Sequence, residues 1–327
     1  MRRVGERFQM SSMLLTLTHG TIFVLFVGVA VSLGMLEGRA QSPTSAPKPW
    51  SPPKTPWGDP DLQGIYNYAT LTPLERPAQF ANKPLFSEEE AAAYEHQYLD
   101  RQADNALVTA GFDWWDPGTA RLADRRTSLI VDPPNGRIPP LTPQAQAAAR
   151  GRGRGNAAAT DGPEDLGLNV RCLHYPTAGP PMMSGMYNVD VQFVQTKQYF
   201  VIVNEMIHDV RIVPLDGRPH GAVQQWFGDP RGHWEGATLV VETVNIRVPF
   251  RGSDDRLKLT ERFTQTDANT IEYRFTADDP TIWTQPWTAV LPMRRYDLGF
   301  FEYACHEGNE RSMVNTLRTA RMFDSQK

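Results

Sequence analysis

The stretch LKLTERFTQTDANTIEYRFT constrains the fold more than any other part of the sequence. Leu257, Leu259, Glu261 and Phe263 alternate with Lys258, Thr260, Arg262 and Thr264, and Ile271, Tyr273 and Phe275 alternate with Glu272, Arg274 and Thr276. In an extended chain successive side chains point to opposite faces, so each run predicts a strand with one core face and one wetted face. Asp267-Ala268-Asn269 is a tight connection, and the pair reads as a hairpin.

The same signals recur on both sides. VDVQFVQTKQYFVIVNEM predicts a second hairpin, about Val189 to Gln195 and Tyr199 to Glu205, and Asp209 to Pro214 a third strand that ends at LDG. GDPRGHWEG reads as turn residues before the strand TLVVETVNI, and TQPWTAVLPM and GFFEYACH complete the series. About eight or nine short antiparallel strands in succession predict a mainly β fold, an antiparallel meander closed into a barrel or a strongly curved sheet. In the tail, Met313, Leu317 and Ala320 fall at helical spacing and predict a C-terminal helix.

The first half is different. Gln41 to Asp61 is dense in proline and reads as an extended linker. LQGIYNYATLTPLERP is irregular, with Tyr66, Tyr68 and Leu74 available to pin it to a body formed elsewhere. Ser87 followed by Glu88, Glu89 and Glu90 is a capping box that opens a helix from Glu88 to about Ala103, with Tyr94 and Tyr98 on one face. Ser128 to Val131 predicts a short strand, and Thr142-Pro143 opens a second helix. The expected organisation is therefore a signal segment at 1–40, a linker at 41–61, an arm with short helices at 62–184 and a barrel with its C-terminal helix at 185–327.

The signal reading rests on Arg2, Arg3 and Arg7, the apolar run Thr21 to Leu36, and the small residues Gly38 and Ala40 before Gln41, which favour cleavage after Ala40 and a periplasmic or secreted protein. An uncleaved anchor is the alternative, and the only route to a membrane partner. The formal net charge of −4 leaves no basic field for nucleic acid. Arg150, Arg152 and Arg154 in RGRGRG lack interleaved aromatics and read as a loop. Cys172 and Cys305 are the only cysteines, and in an oxidising compartment a disulfide is their default, with a free thiol the alternative.

The pieces TPWGDPDLQGIY, TPLERP, EMIHDVRIVPLDGRPH, WEGATLVVET, LTERFTQTDANTIEY, DPTIWTQPWT and EYACHEGN together resemble a family of exported bacterial proteins known chiefly as uncharacterised. The resemblance covers nearly the whole mature chain and carries no catalytic residues with it. The strand-rich half is also similar to lipocalin-like barrels, which implies a central cavity for a small apolar ligand.

Ionisable residues crowd the same half. His174, His208, His220, His233 and His306 fall there, and only His96 lies elsewhere in the mature chain. In Glu205 to Arg211, an extended chain places Glu205, Ile207, Asp209 and Arg211 on one side and His208 on the other, unless a turn near Met206 gathers them. His208 oriented by Asp209 is a candidate general base, against the plainer reading of solvated charges on an edge hairpin. On a strand through EYACHEGN, Glu302 and His306 share a face and form a second candidate acid/base set, while Cys305 points the other way. Arg171 or Arg211 would meet an oxyanion or carboxylate, with Glu205 and His220 beside them.

Trp283 and Trp287 line either a mouth, as a stacking platform, or the core. The spacings Cys172-Leu173-His174 and Cys305-His306 are cramped for zinc, so no metal is expected. Nucleophile-elbow, zincin, Walker and dinucleotide motifs are all missing, and no cofactor is expected. These residues predict a pocket enzyme acting on a small, largely apolar or aromatic molecule by general acid/base chemistry of lyase, hydratase or isomerase type. A carrier for a hydrophobic ligand and a structural envelope component are the alternatives.

Overall fold

Ten short strands account for the architecture of this computed structural model, which describes residues 50–327 apart from 104–121, 123, 153–161, 186, 254 and 325–327. The expected export signal with its expected cleavage site, the first part of the linker and Arg154 lie outside the described residues. The strands are β1 (Gly64–Asn67), β2 (Ile130–Asp132), β3 (Asp190–Gln195), β4 (Tyr199–Asn204), β5 (Val210–Pro214), β6 (Asp229–Glu235), β7 (Thr238–Val244), β8 (Lys258–Asp267), β9 (Thr270–Asp278) and β10 (Trp287–Arg295). They form one antiparallel sheet in the order β5-β4-β3-β1-β10-β9-β8-β7-β6, with β2 added to β10. The sheet curls until β5 lies beside β6, giving a nearly closed barrel. Among the described residues no ladder joins those two strands, and this open seam becomes important below.

Three expectations change. GDPRGHWEG is a strand rather than a turn, paired with β7 from Asp229↔Val244 to Glu235↔Thr238. Its glycine marks a close approach: a Cβ on Gly232 would lie 2.6 Å from Leu215 Cδ2 and 2.9 Å from Val213 Cγ1, across the seam. GIYN, read as irregular, is β1, inserted between β3 and β10 with Tyr66 paired to Val191 on one side and Arg295 on the other. GFFEYACH is not a strand but an irregular segment ending in a turn. The reason is topological. β9 takes one edge of β10 while β1 and β2 take the other, so no position remains next to β10 for a later strand.

Inward side chains fill the barrel. Phe193, Phe200, Phe263, Tyr273, Phe275 and Trp287 are fully buried and follow one another at ring-centroid distances of 5.0 to 5.9 Å. The central cavity implied by the lipocalin likeness is therefore occupied by aromatic packing, as small barrels commonly are.

The helices fall where capping chemistry places them. Ser87 N donates to Glu90 Oε2 (2.8 Å) and Ser87 Oγ accepts Glu90 N (3.2 Å), opening α1 (Glu88–Ala103). Thr142 Oγ1 accepts Ala145 N at the start of α2 (Pro143–Arg152). Tyr94 and Tyr98 of α1 pack on a satellite core of Leu71, Phe86 and Leu122. α3 (Asn309–Asp324) half-buries Met313 and Leu317.

Cys172 and Cys305 form a disulfide, a bond that persists in oxidising compartments. No helix of the described residues is long and apolar enough to cross a membrane. The described residues of arm and barrel, from Trp50 onward, form one compact unit.

Candidate functional site

Between β4 and β5 the chain makes a single turn, Met206–His208, with Ile207 (φ 58°) and His208 (φ 56°) both in the left-handed region. For a β-branched residue this is an outlier that the surrounding structure must enforce. Sequence alternation placed Glu205, Asp209 and Arg211 on one side. All three are buried, whereas His208 is exposed. The expected His208–Asp209 pair is thus divided between surface and interior. Asp209 instead faces His174, whose Nδ1 lies 3.7 Å from Asp209 Oδ2.

These groups belong to a larger buried polar cluster. Arg211 Nη1 and Nη2 donate to Glu261 Oε2 and Oε1 at 2.6 and 2.9 Å, a bidentate pair sealed from solvent. Tyr273 Oη donates to Glu261 Oε1 (2.7 Å) and accepts Met182 N (3.1 Å). Tyr68 Oη donates to Thr177 O (3.1 Å) and to Asn204 Oδ1 (3.4 Å). Glu205 accepts Asn188 Nδ2 and, at 3.2 Å, the backbone N–H of Phe301. Asp190 accepts Asn67 Nδ2 at 2.7 Å.

Burial and charge together set the protonation states. Asp190, Glu205, Asp209 and Glu261 outnumber the one guanidinium, Arg211, so full ionisation would leave a buried negative excess. Burial, reinforced by the neighbouring Glu205 carboxylate, pushes the Asp190 carboxyl up to about 7. Burial also raises Asp209, against the opposing pull of His174 and Arg211. For Arg211, burial opposes the charge but the Glu261 carboxylate outweighs it and holds the guanidinium above its usual range. Burial lifts the Tyr68 and Tyr273 hydroxyls well above the ordinary tyrosine range. The cluster can retain protons at neutral pH, which is what acid/base work requires.

Among the described residues Arg211 Nε and Asn204 Nδ2 have no hydrogen-bond partner, and His174 Nδ1 and Asp209 Oδ2 have only each other, at 3.7 Å. Buried polar atoms are ordinarily satisfied, so an unmatched group of this size marks a place where something polar is met.

The cluster backs onto the open seam. A cleft of about 560 Å³ lies there, walled by Val210, Arg211 and Ile212 of β5 and by Trp226, Phe227 and Arg247 opposite. The Arg247 guanidinium lies 5.4 Å from the Trp226 ring centroid, and the His174 ring 5.7 Å from that of Phe227. Val210, Ile212 and Trp226 are exposed, unusual for large apolar side chains on adjoining elements. Arg211 belongs to both the cluster and the cleft wall.

Other anticipated residues lie elsewhere. His220 is exposed, with Nδ1 3.4 Å from Asp229 Oδ2, in a second cleft on the outer sheet face. Arg171 is half-buried and, among the described residues, donates to Glu164 O at 3.5 Å. Glu302 and His306 are exposed, and because their segment is not a strand they do not form a paired face. That segment is a clamp: Phe301 N is held by Glu205, Cys305 by Cys172, and Asn309 Nδ2 donates to Val170 O and contacts Cys172 Sγ. Trp283 and Trp287 pack edge-to-face at 5.7 Å in the core, 2 % and 0 % exposed. Among the described residues no group of three or more His, Cys, Asp or Glu side chains is placed to hold a metal ion.

Sequence reasoning did not single out His174, Asp190, Glu261 or Tyr68 for the site. Glu261 left a readable trace: a carboxylate between Leu259 and Phe263 on the core face of a strand needs a buried cation. No family model matches the chain, and none of the curated proteins is similar to it.

Proposed function

We propose that this is an exported pocket protein that takes a small, largely apolar molecule bearing an anionic group into the seam cleft and acts on it by general acid/base chemistry. Val210, Ile212, Trp226 and Phe227 would hold the apolar body, and Arg247 with the unpartnered Arg211 Nε the anionic group. Asp209 and His174 would exchange the proton. The lyase, hydratase or isomerase class requires no cofactor for such a step. The observation that carries this reading is Arg211, which stands in the cleft wall with a buried Nε that has no hydrogen-bond partner among the described residues, in the same buried cluster as the facing Asp209 and His174 side chains. The disulfide and the N-terminal pattern support a periplasmic or secreted location.

One observation favours a carrier without chemistry: Phe227 lies against the His174 ring and screens it from the cleft. Compounds that displace the apolar anion 1-anilinonaphthalene-8-sulfonate from the protein decide between the two when incubated with it and followed by mass spectrometry. The enzyme reading expects product formation that falls by about 10²- to 10⁴-fold in Asp209→Asn while affinity is kept. Binding without any product supports the carrier. Absence of binding removes both.

A further inference from the structure

The outer face of the barrel carries a second cleft, of about 400 Å³, where the loop after β5 crosses β7, β8 and β9. His220 stands in its wall beside Asp229. Asp229, 5 % exposed, accepts the backbone N–H of Gly221 at 2.6 Å and a short hydrogen bond from Arg231, and its Oδ2 faces His220 Nδ1 at 3.4 Å. A buried carboxylate beside Nδ1 favours a proton on that nitrogen, which would leave Nε2 as an acceptor. The same loop is tied down by Asn245 Nδ2, which donates to Gly221 O at 2.8 Å.

Strand register sets the rest of the wall. Glu242 stands opposite Thr260, Thr260 opposite Thr276, and Lys258 opposite Asp278, all on the outward face. Within 4.0 Å neither Glu242, Lys258 nor Asp278 has an ion-pair partner among the described residues. Of the lining threonines, Thr243 is fully buried with its methyl toward Gly228 and Thr276 Oγ1 is paired with Thr288 Oγ1 at 2.8 Å, which leaves Thr260 for the cleft. Carboxylate and imidazole acceptors therefore alternate with hydroxyl and ammonium donors over a short span, beside a small apolar strip of Val244 and Pro286.

We infer that this cleft is a binding site for a small saccharide, a ligand whose vicinal hydroxyls need interleaved donors and acceptors and whose C–H face needs a modest apolar strip. Carboxylates accept two neighbouring hydroxyls, Lys258 and Thr260 donate, and His220, beside Asp229, adds an acceptor. The cleft is separate in lining from the seam cleft, so this site stands or falls independently of the function proposed above.

The test is saturation-transfer NMR on the full chain with cellobiose and maltose as probes, at concentrations up to about 10 mM, the range in which weak polar sites are read. Wild type should transfer saturation to the C–H protons of at least one probe. The double variant Glu242→Gln/Asp278→Asn and, separately, His220→Ala should each raise the dissociation constant by about tenfold or more. Both changes are on exposed or half-exposed residues, and an unchanged unfolding midpoint establishes that the fold is kept. Trp226→Ala, in the other cleft, should leave sugar binding as in wild type. No transfer from wild type with either probe, or wild-type affinity in both variants, overturns the site.

Discussion

Replacing Glu261 by glutamine isolates the electrostatic centre of this barrel. Gln is nearly isosteric and can still accept one hydrogen bond from Arg211, but the charge that balances a fully buried guanidinium disappears. Removing one member of a buried ion pair costs about 3 to 5 kcal/mol, since the other charge is left without compensation. Tyr273 Oη, which donates to Glu261 Oε1 at 2.7 Å, also exchanges a charged acceptor for a neutral one. For a domain of this size each kcal/mol moves the midpoint by about 2 to 4 °C, so a fall of about 6 to 20 °C is expected. Urea denaturation should show a lower midpoint with an unchanged slope. The second arm is Arg211→Met with Glu261→Leu, in which neither charge remains. Hydrophobic replacement of a buried pair is commonly neutral or stabilising, so this variant should regain most of the loss. If Glu261→Gln costs less than about 1 kcal/mol, the pair is not sealed from water as described, and the argument from burial fails.

Three further outcomes follow from the geometry. Asp190 binds its proton more tightly folded than unfolded, from 3.8 up to about 7, so its contribution to stability is greatest at low pH and declines as pH rises between those values; Asp190→Asn should flatten that decline in denaturation curves taken from pH 4 to 7. The Cys172–Cys305 bridge spans 133 residues of sequence, and Cys172→Ser/Cys305→Ser should lower stability by up to about 4 to 5 kcal/mol and speed proteolysis of the 300–324 segment, an expectation contradicted by equal digestion with and without reductant. Gly232→Ala places a methyl against Leu215 and Val213 across the seam, and should cost about 1 to 3 kcal/mol by calorimetry.

Alternation made much of the barrel legible, and the sites where it failed are instructive. β8 and β9 follow from single-face periodicity because one face meets the core and the other water. β6 was hidden because Gly232 and Pro230 are turn-like residues, yet in this strand glycine serves close approach to β5. β1 was hidden because four residues that begin with a glycine carry little local signal; its position comes from long-range pairing with β3 and β10. The site was half legible. Asp209 and Arg211 share a face as alternation requires and the Met206–His208 turn gathers Glu205 to them, but the partner of Asp209 arrives from residue 174, on an arm tied by the disulfide and with positive φ at Cys172. Glu302 and His306 were misplaced for the opposite reason, an apparent alternation in a segment that the sheet had no edge to accept.

The central claim is that the open seam between β5 and β6 receives an apolar anion. Fluorescence titration with 1-anilinonaphthalene-8-sulfonate tests it most directly, comparing wild type with Trp226→Ala/Arg247→Ala under conditions where both have the same unfolding midpoint. Loss of the aromatic wall and its guanidinium should weaken binding by about tenfold or more, whereas Trp234→Ala, outside the cleft, should not. Equal affinity in wild type and the double variant would place the ligand elsewhere and contradict the account.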